Sequence, residues 1–216
     1  MPTIARPQIP DDLMPADNPK RLLTKDETVG EVIINDADLS DFSVRSLSLT
    51  EAKVNKSDLT SANLERLDLR DVSFAKCELT ATFCGEASWH RVSLNNSQCS
   101  GLKLQTSTLR DVVFTGCKLS LANFRFAKLK NVEFKDCDLE EADFYAAELN
   151  NVSFANCTLN KTEFSGCKFR YVDLRSSDIS NLLGTNSMAG AIIDSTQLIA
   201  LAPLLAAEAK IEVKDE

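Results

Sequence analysis

The side chains able to do chemistry are few and scattered. His90 is the single histidine in 216 residues, which leaves no second imidazole for a metal or a proton relay. The seven cysteines, Cys77, Cys84, Cys99, Cys117, Cys137, Cys157 and Cys167, contain no CxxC pair, the spacing that marks zinc and redox sites. They read as reduced thiols serving as small hydrophobes, which suits a cytoplasmic protein. His90 has no partner serine or cysteine in a recognisable elbow, and seven glycines form no phosphate-binding loop. The adjacent acids Glu140 and Glu141 would need a desolvated pocket to act as general acids. These residues imply no enzyme, no metal and no cofactor. A small-molecule site around Trp89, His90 and Arg91 would require a pocket beside the indole.

What remains is charge: 32 acidic against 24 basic residues, a net charge of −8. Its placement depends on the elements that carry it, and these follow from a period of five. Large apolar residues recur at Leu39, Val44, Leu49, Val54, Leu59, Leu64, Leu69, Phe74 and Leu79, and again from Leu109 through Phe164 to Ile179. Five residues fit neither one face of an α-helix nor one face of a flat strand. They fit a chain that turns a corner every five residues, with the large residue and the one two before it pointing inward. The residue between them points out, as Asp58, Asn63 and Asp138 do. Phe114, Phe134 and Phe154 lie twenty apart, as do Phe124, Phe144 and Phe164 and also Cys117, Cys137 and Cys157, so four sides close one coil and like residues stack. Strands about 4.8 Å apart make roughly seven and a half coils a rod about 36 Å long, close to one turn of B-DNA at roughly 34–36 Å.

The triplets Ala37-Asp38-Leu39, Ala62-Asn63-Leu64, Ala122-Asn123-Phe124 and Ala142-Asp143-Phe144 resemble the A(D/N)Lxx pattern of the pentapeptide-repeat family. That resemblance implies an all-β fold, a right-handed quadrilateral β-helix. Three segments follow: a proline-rich N-terminal arm and cap at 1–31, the β-helix at 32–183, and a C-terminal helical cap or dimerisation segment at 184–216.

The arm carries Pro2, Pro7, Pro10, Pro15 and Pro19, which argues against helix or central strand; it is either a loose tail or a segment lying on the first coils. It shows no signal-peptide pattern and the chain no membrane span. At the other end Asp194 or Ser195 can cap a helix carrying Leu198, Ile199, Leu201, Leu204 and Leu205, with Pro203 dividing it in two and Ile211-Glu212-Val213 forming a short strand. The order of final repeat, Gly190-Ala191, Asp194, Gln197, apolar helix and strand is similar to the dimerisation tail of the quinolone-resistance pentapeptide proteins. Those proteins resemble B-DNA in size and charge and bind DNA gyrase. The tail departs from theirs at Pro203 and Lys210. The helix either caps its own coil or joins two copies into a homodimer.

One wall, with centres from Leu39 through Ile179, carries Asp38, Asp41, Asp58, Glu78, Asp138, Glu140, Glu141 and Asp178 against Lys118 and Lys161, a net of −6. The opposite wall is at +2. An acid row repels nucleic acid and attracts a basic groove. A groove built to neutralise phosphates could accept this rod, with Asp38, Asp58, Glu78, Asp138, Glu140, Glu141 and Asp178 as contacts. The expectation is therefore a DNA mimic that binds a type II topoisomerase, gyrase, and could confer quinolone resistance. The alternative is a protein-interaction scaffold with another partner. Asp and Asn also simply suit the outward position and keep a rod dissolved.

Overall fold

The computed structural model describes residues 4–24 and 28–214. In chain order it contains β1 (Met14–Pro15), α1 (Pro19–Leu22), β2 (Thr28–Gly30) and β3 (Val32–Asn35). Six eight-residue strands follow, β4 (Ser48–Asn55), β5 (Asp68–Ala75), β6 (Ser88–Asn95), β7 (Thr108–Thr115), β8 (Lys128–Lys135) and β9 (Glu148–Ala155). The chain ends with β10 (Lys168–Asp173), β11 (Ala191–Ile192) and α2 (Ser195–Glu208). All pairings are parallel, and the central ones step by twenty residues: Leu49 faces Leu69, then Trp89, Leu109, Leu129, Leu149 and Phe169. Each eight-residue strand turns one corner and so spans two walls. The other two walls are held by single bridges at the same step, such as Asp38 to Asp58 and Ser43 to Asn63. The whole is the expected right-handed four-sided β-helix, of about nine turns because β1 and β11 add levels at the ends.

Every fifth residue from Glu31 to Ser176 has φ between +49° and +70°. That left-handed conformation turns the corner, and Asp, Asn and Gly tolerate it best. Leu121, Phe126 and Tyr171 occupy such corners as well, each more than half exposed. Between corners the walls fill the coil. Phe114, Phe134 and Phe154 stack at 4.9 Å with near-parallel rings. Phe124 and Phe144 stack at 4.7 Å, and the two ladders meet edge to face at about 6 Å, an arrangement that aromatic quadrupoles favour. Trp89 is 1% exposed and its ring lies 6.4 Å from that of Phe114; it is a core residue packed against the phenylalanine ladder. The seven cysteines are buried and unpaired. Burial pushes the Cys84 thiol up to about 12, which makes it unreactive.

The ends depart from the sequence expectation in four respects. First, the arm contains a helical turn and a short strand. Pro19 starts α1, a position where the missing N–H is not needed. In β1 the N–H groups of Met14 and Ala16 donate to Glu31 and Ile33, and Pro15 falls between them, where no donor is required. Second, the arm reaches beyond the first coils: the Arg6 guanidinium lies 3.3 Å from Glu133, and the Gln8 N–H donates to Asp71 Oδ1 at 2.8 Å. Leu23, 5% exposed, plugs the open first coil. Third, α2 is one helix through Pro203; Pro203 and Ile199, whose carbonyl it leaves free, are both exposed, so water can satisfy that carbonyl. Fourth, Ile211 to Val213 are not a strand. The ladder position on β10 is already taken by β11, and a strand without a neighbour is not stable. Pro2 lies outside the described residues.

Candidate protein-docking walls

The outward acids form one register line. Successive bridges run Asp38, Asp58, Glu78, Gln98, Lys118, Asp138, Thr158, Asp178. All five acids of that line, and Glu140 and Glu141 at its corner, are exposed or half-exposed. The line is therefore real, but Gln98, Lys118 and Thr158 interrupt it. DNA carries one charge per roughly 1.7 Å of axis, so five carboxylates over about 34 Å are a sparse copy.

These carboxylates also have local work. Asp58 Oδ1 accepts the N–H of Thr60 at 2.8 Å, Asp138 Oδ1 that of Glu140 at 3.0 Å, and Asp178 Oδ1 that of Ser180 at 3.1 Å. Asp38 accepts both the hydroxyl and the N–H of Ser40, and these bonds hold its carboxyl below the usual range. Each is an Asx turn that leads the chain into its corner. Glu140 accepts from the Asn160 amide at 2.7 Å, and Glu141 pairs with Lys161 at 3.0 Å. One oxygen of each turn-forming aspartate remains available, whereas Glu141 already faces a cation.

The C-terminal residues divide between two tasks. The Asp194 side chain accepts the Gln197 N–H, and Gln197 returns the bond to the Asp194 N–H, closing a capping box. Gln197 then donates to the carbonyls of Leu174 and Ser177, at 2.6 and 2.8 Å, and so bolts α2 onto the last coil. Leu201 is buried there and Leu204 partly so. Leu198, Ile199 and Leu205 point away, 52%, 75% and 37% exposed. The helix thus caps its own coil with one face and leaves an apolar face free.

Sequence reading missed two features. Arg125 lies over the Tyr145 ring at 4.3 Å, beside Phe126, making an exposed aromatic cluster on the wall next to the acid line. Phe126 puts a large apolar side chain at a corner position that is mostly polar or small along this chain, and that was the available signal. The other is a polar ladder across coils. Arg91 pairs with Asp71 through two N–H groups. The Asn131 amide donates to Asp111, and the Asn151 amide to Asn131.

Among the described residues, no group of three or more His, Cys, Asp or Glu is placed to hold a metal ion. No described helix is long and apolar enough to cross a membrane. The chain matches the family model of the pentapeptide repeat region over residues 67–144 and 107–183, and that of eight pentapeptide repeats over 48–83. It belongs to the pentapeptide-repeat family. No curated protein matches it. Among solved structures, this pentapeptide-repeat rod is similar to trypsin-treated QnrB1, a plasmid-mediated fluoroquinolone resistance protein, at 20% identity, with 87% of this chain and 90% of that chain covered and a TM-score of 0.44. It is also similar to HetL of Nostoc sp. strain PCC 7120, a pentapeptide repeat protein involved in heterocyst differentiation regulation, at 16% identity over 79% and 91% of the chains with a TM-score of 0.34. At these identities and TM-scores neither likeness carries an argument; the family rests on the repeat models.

Proposed function

We propose that this pentapeptide-repeat rod is a non-enzymatic protein that docks its acid wall into a basic, DNA-binding groove of a type II topoisomerase, gyrase. The observation that carries the reading is the single register line from Asp38 to Asp178, which aims carboxylates outward along the rod axis. The sequence likeness of the tail to the quinolone-resistance proteins supports the same reading, as does the length of the rod. In a supercoiling assay the protein should inhibit gyrase or protect it from a fluoroquinolone. No inhibition, no protection and no binding at micromolar protein would reject the proposal.

The free face of α2 supports a homodimer through Leu198, Ile199 and Leu205, since a helix that leaves large apolar residues uncovered is short of a partner. The mass in solution of the intact chain, compared with a form ending before Ser195, tests this: a monomer in both cases rejects it. A second reading, an interaction scaffold, is favoured by the exposed Arg125, Phe126 and Tyr145 cluster, because aromatic residues and arginine dominate binding hot spots. Phe126→Ala should then weaken partner capture while the acid line is intact.

A further inference from the structure

The wall beneath the N-terminal arm is shaped to hold a peptide. Its outward residues on three successive levels are Ser73, Ser93 and Val113, flanked by the long side chains of Lys53 and Glu133. Short side chains thus lie between long ones along the rod axis. Val113 points outward yet is 1% exposed, so it is covered from outside. The covering segment is fixed on either side of it: Arg6 meets Glu133 at 3.3 Å, and the Gln8 N–H meets Asp71 at 2.8 Å. Asp71 is 3% exposed and is itself held by Arg91. The arm therefore runs along the rod axis, across the strands, without adding a strand at this wall. Ile4, Pro7 and Ile9 are half-buried while Ala5, Arg6 and Gln8 are exposed, so one side of the segment faces the wall. Pro7 and Pro10 stiffen it, which lowers the entropy lost on docking. Residues 4–10 supply nothing to the buried core, whose first member is Leu23.

We infer that this wall is a docking surface for an extended, proline-bearing segment with one arginine, and that the arm is its resident occupant. A partner protein carrying such a segment would displace the arm. The wall is separate from the acid line, so neither proposal depends on the other. A tethered occupant competes at roughly millimolar effective concentration, so a free peptide should bind well only when the arm is released.

The test uses the full chain with Arg6→Glu and Ile9→Asp, which unfasten the arm, and a labelled peptide of residues 4–12. The released variant should bind the peptide at least tenfold more tightly than the unaltered chain, and adding Val113→Lys should abolish that binding. No binding by the released variant at millimolar peptide, or binding indifferent to Val113→Lys, would overturn the inference. Should the released variant fail to fold, hydrogen exchange at the Gln8 N–H of the unaltered chain decides. Excess peptide should speed that exchange several-fold, and an unchanged rate would overturn it. A concentration-dependent dimer of the unaltered chain that Val113→Lys dissolves would also overturn it, assigning the wall to arms exchanged between two copies.

Discussion

On the acid wall each outward aspartate bonds within its own coil, to the N–H two residues ahead. On the wall beneath the arm the carboxylate of Asp71 bonds Arg91 one coil away and Gln8 at the far end of the chain. The same repeat thus uses carboxylates for two purposes. In the first case the acid shapes a turn, which an asparagine could shape as well, so the fold needs the acceptor more than the charge, although the Ser40 bonds do favour the charged form at Asp38. In the second the charge itself is used, because it answers a guanidinium. Where a role needs only an acceptor, a preference for aspartate over asparagine calls for a reason outside the fold, and that is what makes the acid wall a candidate surface.

Both walls stand on the same core, so the largest effect should erase the contrast. Phe134→Ala removes a ring from the middle of a stack and should cost about 3–5 kcal/mol, read as a lower urea midpoint, with the arm and the acid line lost together. Asp71→Ala should come next, at about 2 kcal/mol; the loss is moderated because the Arg91 side chain keeps 22% exposure to water. Asp58→Ala, which removes only a turn acceptor, should cost about 1 kcal/mol. Equal losses at the two positions would break the contrast.

Acid should separate the walls too. Burial alone would raise the Asp71 pKa, but the bonds from Arg91 and the Gln8 N–H outweigh it and hold the carboxyl below its ordinary value of 3.8; His90 adds to the same direction. A carboxyl depressed in the folded state contributes stability that is complete above its ordinary pKa and lost as pH falls through the folded one. Stability and protection of the Gln8 N–H should therefore hold to about pH 4 and decline below it. Asp71→Asn should flatten part of that decline. The smallest structural effect belongs to Asp38→Asn, Asp58→Asn, Asp138→Asn and Asp178→Asn combined, which keep every turn acceptor and should leave the thermal midpoint nearly unchanged.

Much of the fold was legible because the repeat writes it many times. One position of five must be large, one small and one left-handed, so Phe114, Phe134 and Phe154 declare their stack at a glance. The acid line was legible for the same reason, since outward positions follow from inward ones. Single events were not. Arg6 meets Glu133 across 127 residues, and no periodicity announces a contact made once. Pro15 reads as a strand breaker until its neighbours' N–H groups are seen to carry the pairing. Pro203 reads as a break until it and Ile199, whose carbonyl it frees, are seen to lie on the exposed side of the helix. Gln197 looks like an ordinary polar helix residue, although its side chain bolts the helix to the last coil.

The most direct measurement is the affinity of gyrase for the unaltered chain and for the four-fold Asp→Asn variant, side by side at low and moderate salt. The expected result is micromolar or tighter binding by the unaltered chain, at least tenfold weaker binding by the variant, and a difference that shrinks as salt screens the wall. Equal affinity of the two proteins, with the variant folded and equally stable, would contradict a role for the carboxylate line.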